Sequence, residues 1–198
     1  MERCWIGADP GGKGRFGVAA LMPDQTVRTW CVSCAEEAVE HAVAVAGHDL
    51  AGVGVDSPLW WSAGLSGDRK ADQWLRKTYN LSGGTVQASN SLRGAALIQG
   101  ALFVEHMRIH NAGVQVTETH PKALLKAMGL DRWSDFCTSF SIEAEYGTEH
   151  ERDAIVSAVA AREGFEGRWT RDLSLDRLAG EQDPRQYWLA PVHYFWPD

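Results

Sequence analysis

Residues 4–22, CWIGADPGGKGRFGVAALM, decide how the rest of the chain is read. Cys4 to Ala8 and Phe16 to Met22 are apolar runs of strand length. The stretch between them, Asp9-Pro10-Gly11-Gly12-Lys13-Gly14, is built from turn formers, so the pair predicts a β-hairpin. Thr26 to Val32 adds a third strand. After it, Ser33 and Glu36 stand in capping-box spacing ahead of Ala35, Ala38, Val39, Ala42, Val43 and Ala46, which repeat at helical intervals.

Downstream, Leu50 to Val55 predicts a fourth strand that stops at Asp56-Ser57-Pro58, because proline removes a ladder donor. Residues 59–91 read as a long functional loop, rich in Trp, Gly, Ser and charge, with one helical piece around Asp72 to Tyr79. Leu92 to Asn111 predicts a helix closed by Gly113, and Val114 to Thr117 a fifth strand. Pro121 fits the first position of a helix through Met128, ended by Gly129. The last helix opens on the capping box Thr148 and Glu151 and carries the apolar stripe Ile155, Val156, Val159, Ala160. The expectation is one α/β domain over residues 1–198: a mixed five-stranded sheet, an antiparallel three-strand meander plus two parallel strands, flanked by helices. The 59–91 loop is inserted in it, and an aromatic-rich tail follows at 165–198. Tyr187, Trp188, Tyr194, Phe195 and Trp196 of that tail cover the core or contact a second copy in a homodimer.

Composition narrows the classes. With 198 residues, 44% of them hydrophobic, the chain can bury a sizeable core. The start MERCWIGAD lacks the pattern of an export signal, and no run approaches the ~18 apolar residues of a membrane span, so a cytoplasmic protein with no membrane partner is expected. Four Cys are too few for a disulfide framework. A formal net charge of -7 argues against a broad nucleic-acid coat but leaves room for a local basic groove.

The chemistry-bearing residues lie at element ends. Asp9 ends the first strand, Asp56 the fourth and Glu118 the fifth, and Asp153 sits near the start of the last helix. Carboxyl ends of strands line the usual ligand crevice of an α/β sheet. Clustered carboxylates repel one another unless a cation neutralises them, which makes a divalent ion their natural partner. Asp153 lies three residues before Val156 and seven before Ala160, near the sheet-facing side of its helix. Glu149, one turn earlier, is either a further acid of that helix or a favourable charge at a helix N-terminus.

In this order of elements the chain resembles the ribonuclease-H-like superfamily. It is most similar to the family of predicted nucleases called domain of unknown function 429. The likeness runs over Gly7-Ala8-Asp9-Pro10-Gly11, Val55-Asp56-Ser57-Pro58-Leu59, Glu118-Thr119-His120-Pro121 and Glu151-Arg152-Asp153-Ala154, from residue 4 to about 165. The resemblance implies two-metal hydrolysis of phosphodiesters in DNA or RNA, with Mg2+ or Mn2+ held by Asp9, Asp56 and Asp153 and with Asp9 bridging two ions. It leaves Glu118 as a ligand or base, with His120 orienting it or moving a proton. Arg69, Lys70, Arg76, Lys77 and Arg93, with Trp60, Trp61 and Trp74 among them, then suggest a substrate-binding loop for a nucleic-acid strand, or else a solvated face pinned by the tryptophans.

Other classes compete. Gly7 to Gly14 nearly fits a P-loop, but Gly14 stands where Ser or Thr must reach magnesium and a strand follows instead of a helix. Cys31-Val32-Ser33-Cys34 before a helix mimics a redox dithiol, although the surrounding βββα order does not match a thioredoxin-like fold. His106 and His110 lack a third zinc ligand. A non-catalytic module that binds nucleic acid or protein on the same fold is the alternative from another class.

Overall fold

In the computed structural model, which describes residues 3–198, the main sheet has five strands: β1 (Cys4–Asp9), β2 (Phe16–Leu21), β3 (Val27–Val32), β4 (Leu50–Val55) and β5 (Gln115–Glu118). As the sequence predicts, β1, β2 and β3 form an antiparallel meander and β4 and β5 are parallel strands; the order across the sheet is β3-β2-β1-β4-β5, with β4 parallel to β1 and β5 parallel to β4. Six helices complete it: α1 (Ala35–Ala46), α2 (Lys70–Tyr79), α3 (Gly94–His110), α4 (Pro121–Met128), α5 (Trp133–Phe140) and α6 (Glu149–Phe165). Because β1, β4 and β5 are parallel, Asp9, Asp56 and Glu118 all reach the same end of the sheet. No helix among the described residues is long and apolar enough to cross a membrane.

Strand alternation sorts the helices into two layers. Trp5 stacks on Phe165 of α6 at 6.1 Å, so the face of Trp5, Gly7 and Asp9 belongs to α6. Phe16 of β2 meets Phe103 of α3 at 5.9 Å on the opposite face, where α1 packs beside α3. The α6 face is nearly bare of side chains under the helix. A Cβ on Gly17 would collide with His150 O, one on Gly7 with Ala154 O, and one on Gly54 with Ser157 O. Residues 150, 154 and 157 form one helical stripe, and the three glycines lie on the adjacent strands β2, β1 and β4, so the helix backbone rests directly on the sheet.

The tail belongs to the fold. His193 lies alongside β5, its N–H donating to Val116 O (3.0 Å) and its O accepting from Glu118 N–H (2.8 Å), which covers that sheet edge. Two short tail strands, β6 (Arg171–Asp172) and β7 (Phe195–Trp196), pair with each other. Tyr194 and Trp196 are buried, so these aromatics cover the core, while Trp188 is exposed.

Several boundaries differ from expectation. The 59–91 stretch is largely irregular but holds α2, two residues longer at its start than predicted. The cap of α1 falls on Cys34, and Ser33 N–H donates instead to Glu37 Oε2 (2.8 Å), so the Ser33–Glu36 box does not form. Helix α5 was not predicted. It lacks a capping side chain, but Trp133, Phe136, Cys137 and Phe140 make the periodic stripe that drives it. The Thr148–Glu151 box does form, with Glu151 N–H on Thr148 Oγ1 (3.2 Å) and Thr148 N–H on Glu151 Oε2 (2.7 Å).

Gly7→Ala and Gly54→Ala each force a methyl into helix backbone. Each is expected to cost about 1–3 kcal/mol or more in chemical denaturation. Gly12→Ala, whose added Cβ would meet nothing within 4 Å, should stay within about 0.5 kcal/mol of the parent.

Candidate functional site

The C-terminal ends of β1, β4 and β5 and the N-terminal ends of α4 and α6 enclose a cleft of about 410 Å³. Asp9, Asp56 and Asp153 line it together, and so do Glu118, His120, Lys122, Glu149 and His150. The convergence follows from the packing. Asp9 lies two residues beyond Gly7 and Asp56 two beyond Gly54, so both carboxylates point to the α6 face. The close seat of α6 brings Asp153 and His150 down beside them.

The three carboxyls are strained by charge. Burial pushes Asp9 up to about 6, the His150 hydrogen bond (Nδ1 to Oδ2, 2.7 Å) opposes this, and the neighbouring Asp153 raises it further. Burial raises Asp56 well above the usual carboxylate range, and Asp9 and Asp153 add to that rise. Asp153 is also raised by burial, against two hydrogen bonds from Arg152 to its Oδ1 (2.6 and 2.9 Å). On the rim Lys122 Nζ bonds Glu149 Oε1 at 2.8 Å, which lowers the Glu149 carboxyl.

Glu118 departs from this set. In the β4–β5 register Val55 pairs with Glu118 and Gly54 with Thr117, so Glu118 shares the parity of Val55 and faces away from α6. There the Arg69 guanidinium grips it in bidentate fashion (2.6 and 2.5 Å), Leu59 N–H donates to it (2.9 Å), and Asp72 takes the other side of Arg69 (2.9 Å). Glu118 is thus a structural anchor for the insertion and is not a free ligand or base. Arg69, only 1% exposed and lying at 4.1 Å over the Trp60 ring, is removed from the substrate-binding set for the same reason.

The remaining expected residues scatter. Lys70, Lys77 and Arg93 are exposed, and neither they nor Arg76 line the cleft. Arg76 is tied to Asp68 (2.7 Å) and Val86 O (3.0 Å), within the insertion itself. His120 does not orient Glu118. Its Nε2 lies 2.9 Å from Thr85 O, which fixes the hydrogen on Nε2, and its buried Nδ1 has no partner. Burial holds His120 down at about 4, so the ring is neutral at physiological pH. Sequence reasoning missed Lys122 and His150. The available signals were a lysine in the first turn of a helix, where the dipole disfavours it, and a histidine one turn before Asp153.

On charge and donor type the trio of Asp9, Asp56 and Asp153 fits a hard divalent ion: oxygen donors only, mutually repelling, with Asp153 buried and Asp9 and Asp56 partly so. Among the described residues, however, no group of three or more His, Cys, Asp or Glu is placed so that it could hold a metal ion as it stands. Asp9 and Asp153 are instead satisfied by His150 and Arg152. A divalent ion would therefore displace internal hydrogen bonds.

Arg69→Met would leave Glu118 and Asp72 buried without their cation, and about 3–5 kcal/mol of stability should be lost in urea unfolding. A loss below about 1 kcal/mol would mean that the ion cluster does not hold the insertion. The raised carboxyls predict a pH effect of definite sign. A folded-state acid pKa above its unfolded value favours the folded state at low pH, so this contribution declines as pH rises from about 4 through 6. In chelator, melting temperature against pH should fall less steeply over that window for Asp9→Asn than for the parent.

No family model, curated protein or solved structure matches this chain, so its function has to be argued from the cleft itself.

Proposed function

We propose that the chain is a divalent-metal-dependent phosphodiester hydrolase acting on DNA or RNA, on a ribonuclease-H-like fold. The observation that carries this reading is the convergence of three mutually repelling carboxylates, Asp9, Asp56 and Asp153, in one cleft at the carboxyl ends of two parallel strands. The sheet order and the late helix bearing Asp153 support the fold reading.

Asp9, Asp56 and Asp153 would hold magnesium, or manganese in its place. Such an ion, when bound, supplies Lewis-acid polarisation and an activated water. The chain's own contributions are separable from it. The glycine-seated α6 fixes Asp153 relative to the strand-borne pair. His150 holds Asp9 in one orientation through Oδ2. The anchored insertion forms one wall of the cleft through Thr85 and Gln87.

A non-catalytic binding module on the same fold is favoured by one specific observation: Arg152 and His150 already satisfy two of the carboxylates. The two readings separate on a panel of single-stranded, duplex and branched DNA and RNA incubated with magnesium or manganese. Hydrolysis by the parent should fall by about 10²–10³-fold in Asp56→Asn, the scale for losing one charge-stabilising group. If neither protein cleaves any member of the panel while binding is retained, the module reading takes its place.

A further inference from the structure

One short piece of the insertion stands over the acidic cleft. Ser82 to Thr85 is a local turn: Thr85 N–H donates to Ser82 O (3.0 Å), Val86 N–H donates to the same oxygen (3.1 Å), and the Ser82 and Thr85 hydroxyls bond each other at 3.0 Å. Gly84 and Thr85 line the cleft. Ser82, Gly83 and Gly84 are exposed, and the two adjacent glycines carry no side chain that could pin the apex. Beyond the turn the chain is fixed, because Val86 is buried and its O accepts from Arg76 Nη1 (3.0 Å). Among the described residues, the one hydrogen bond that ties residues 82–91 to anything outside the insertion runs from His120 Nε2 to Thr85 O (2.9 Å). His120 itself belongs to the body, where its O accepts from Leu124 N–H as α4 begins (2.9 Å).

We propose that the Ser82–Thr85 turn is a flap that controls entry to the cleft, with His120 as its latch. Closed, Thr85 O rests on the His120 ring and the turn completes the cleft wall. To open, the chain bends at Gly83 and Gly84, Thr85 O leaves His120, and Gly84 and Thr85 withdraw while Val86 stays seated. A segment held by one cross-element hydrogen bond and little buried apolar surface belongs to the part of a fold that opens locally without global unfolding. The device acts whatever the cleft binds, and it therefore stands apart from the hydrolase reading.

Entry can be read on the protein alone, without added metal, by coupling its carboxyls to glycinamide with a water-soluble carbodiimide and following Asp56 by peptide mass spectrometry. Exposed Glu40 serves as the rate reference, and buried Glu163, which lines no part of the cleft, reports any loosening of the whole fold. The latch is tested by two amides of different reach. His120→Gln can still donate to Thr85 O, whereas His120→Asn is one methylene too short. Asp56 should react roughly three- to tenfold faster in His120→Asn than in His120→Gln, the scale of one hydrogen bond. Stiffening the apex acts in the opposite direction: Gly83→Ala with Gly84→Ala, whose added Cβ atoms meet nothing closer than 3.6 Å, should slow Asp56 about twofold relative to the parent. Equal Asp56 rates in the Asn and Gln variants, an unchanged rate in the double alanine variant, or faster coupling of Glu163 alongside Asp56 would each overturn the flap.

Discussion

The absence of a side chain at three strand positions beneath one helix is the constraint on which the rest of the structure depends. Gly17, Gly7 and Gly54 lie on three neighbouring strands, and α6 rests its own carbonyls against them. Van der Waals contact at backbone distance is available only where no Cβ intervenes. The resulting seat fixes where the first turns of α6 end, and hence where Asp153 and His150 stand relative to Asp9 and Asp56. The same glycines set the parity of the strands: each aspartate follows two residues after a glycine and inherits its direction. Site geometry and core packing are thus one property of the sequence.

Two ionic clusters sit at this end of the sheet with opposite character. On one face Arg69 is enclosed by Glu118 and Asp72, with four of its five guanidinium N–H groups engaged and its charge answered. On the other face Asp9, Asp56 and Asp153 line the cleft, with Arg152, His150 and Lys122 reaching in from its edges. A single residue of register separates the two. Glu118 would stand with Asp56 if β5 were shifted by one position, and then the insertion would lose its anchor. Burial is costly to both clusters, but the first is answered internally by Arg69 while the second keeps carboxyls raised by one another.

Much of this was legible in the sequence. The meander followed from the hairpin around Asp9 to Gly14, and the end of the fourth strand from Asp56 and Pro58. The three aspartates could be placed together because element ends converge in a parallel sheet. What could not be read depended on long-range pairing. That Glu118 faces away from Asp56 is set by the β4–β5 register, which no local pattern encodes. That Arg69 is buried while Lys70 beside it is exposed depends on how the start of α2 is seated, with Arg69 turned to Glu118. Helix α5 was overlooked because it begins without a cap, though its stripe of Trp133, Phe136, Cys137 and Phe140 was in view. The Cys34 cap shows the reverse error, where a good local signal one residue away gave way to a carboxylate from the next turn.

The interlock between insertion and tail has its own consequence. The Glu181 carboxylate accepts from the Trp60 indole (2.8 Å) and from Lys70 N–H (3.0 Å), and Trp196 donates to the Tyr79 hydroxyl (2.8 Å). These partners are 121, 111 and 117 residues apart. Contacts of such separation close large loops and form late in folding. The carboxylate-bearing strands can therefore associate before the tail docks, whereas the insertion that walls the cleft is not locked in place until it does.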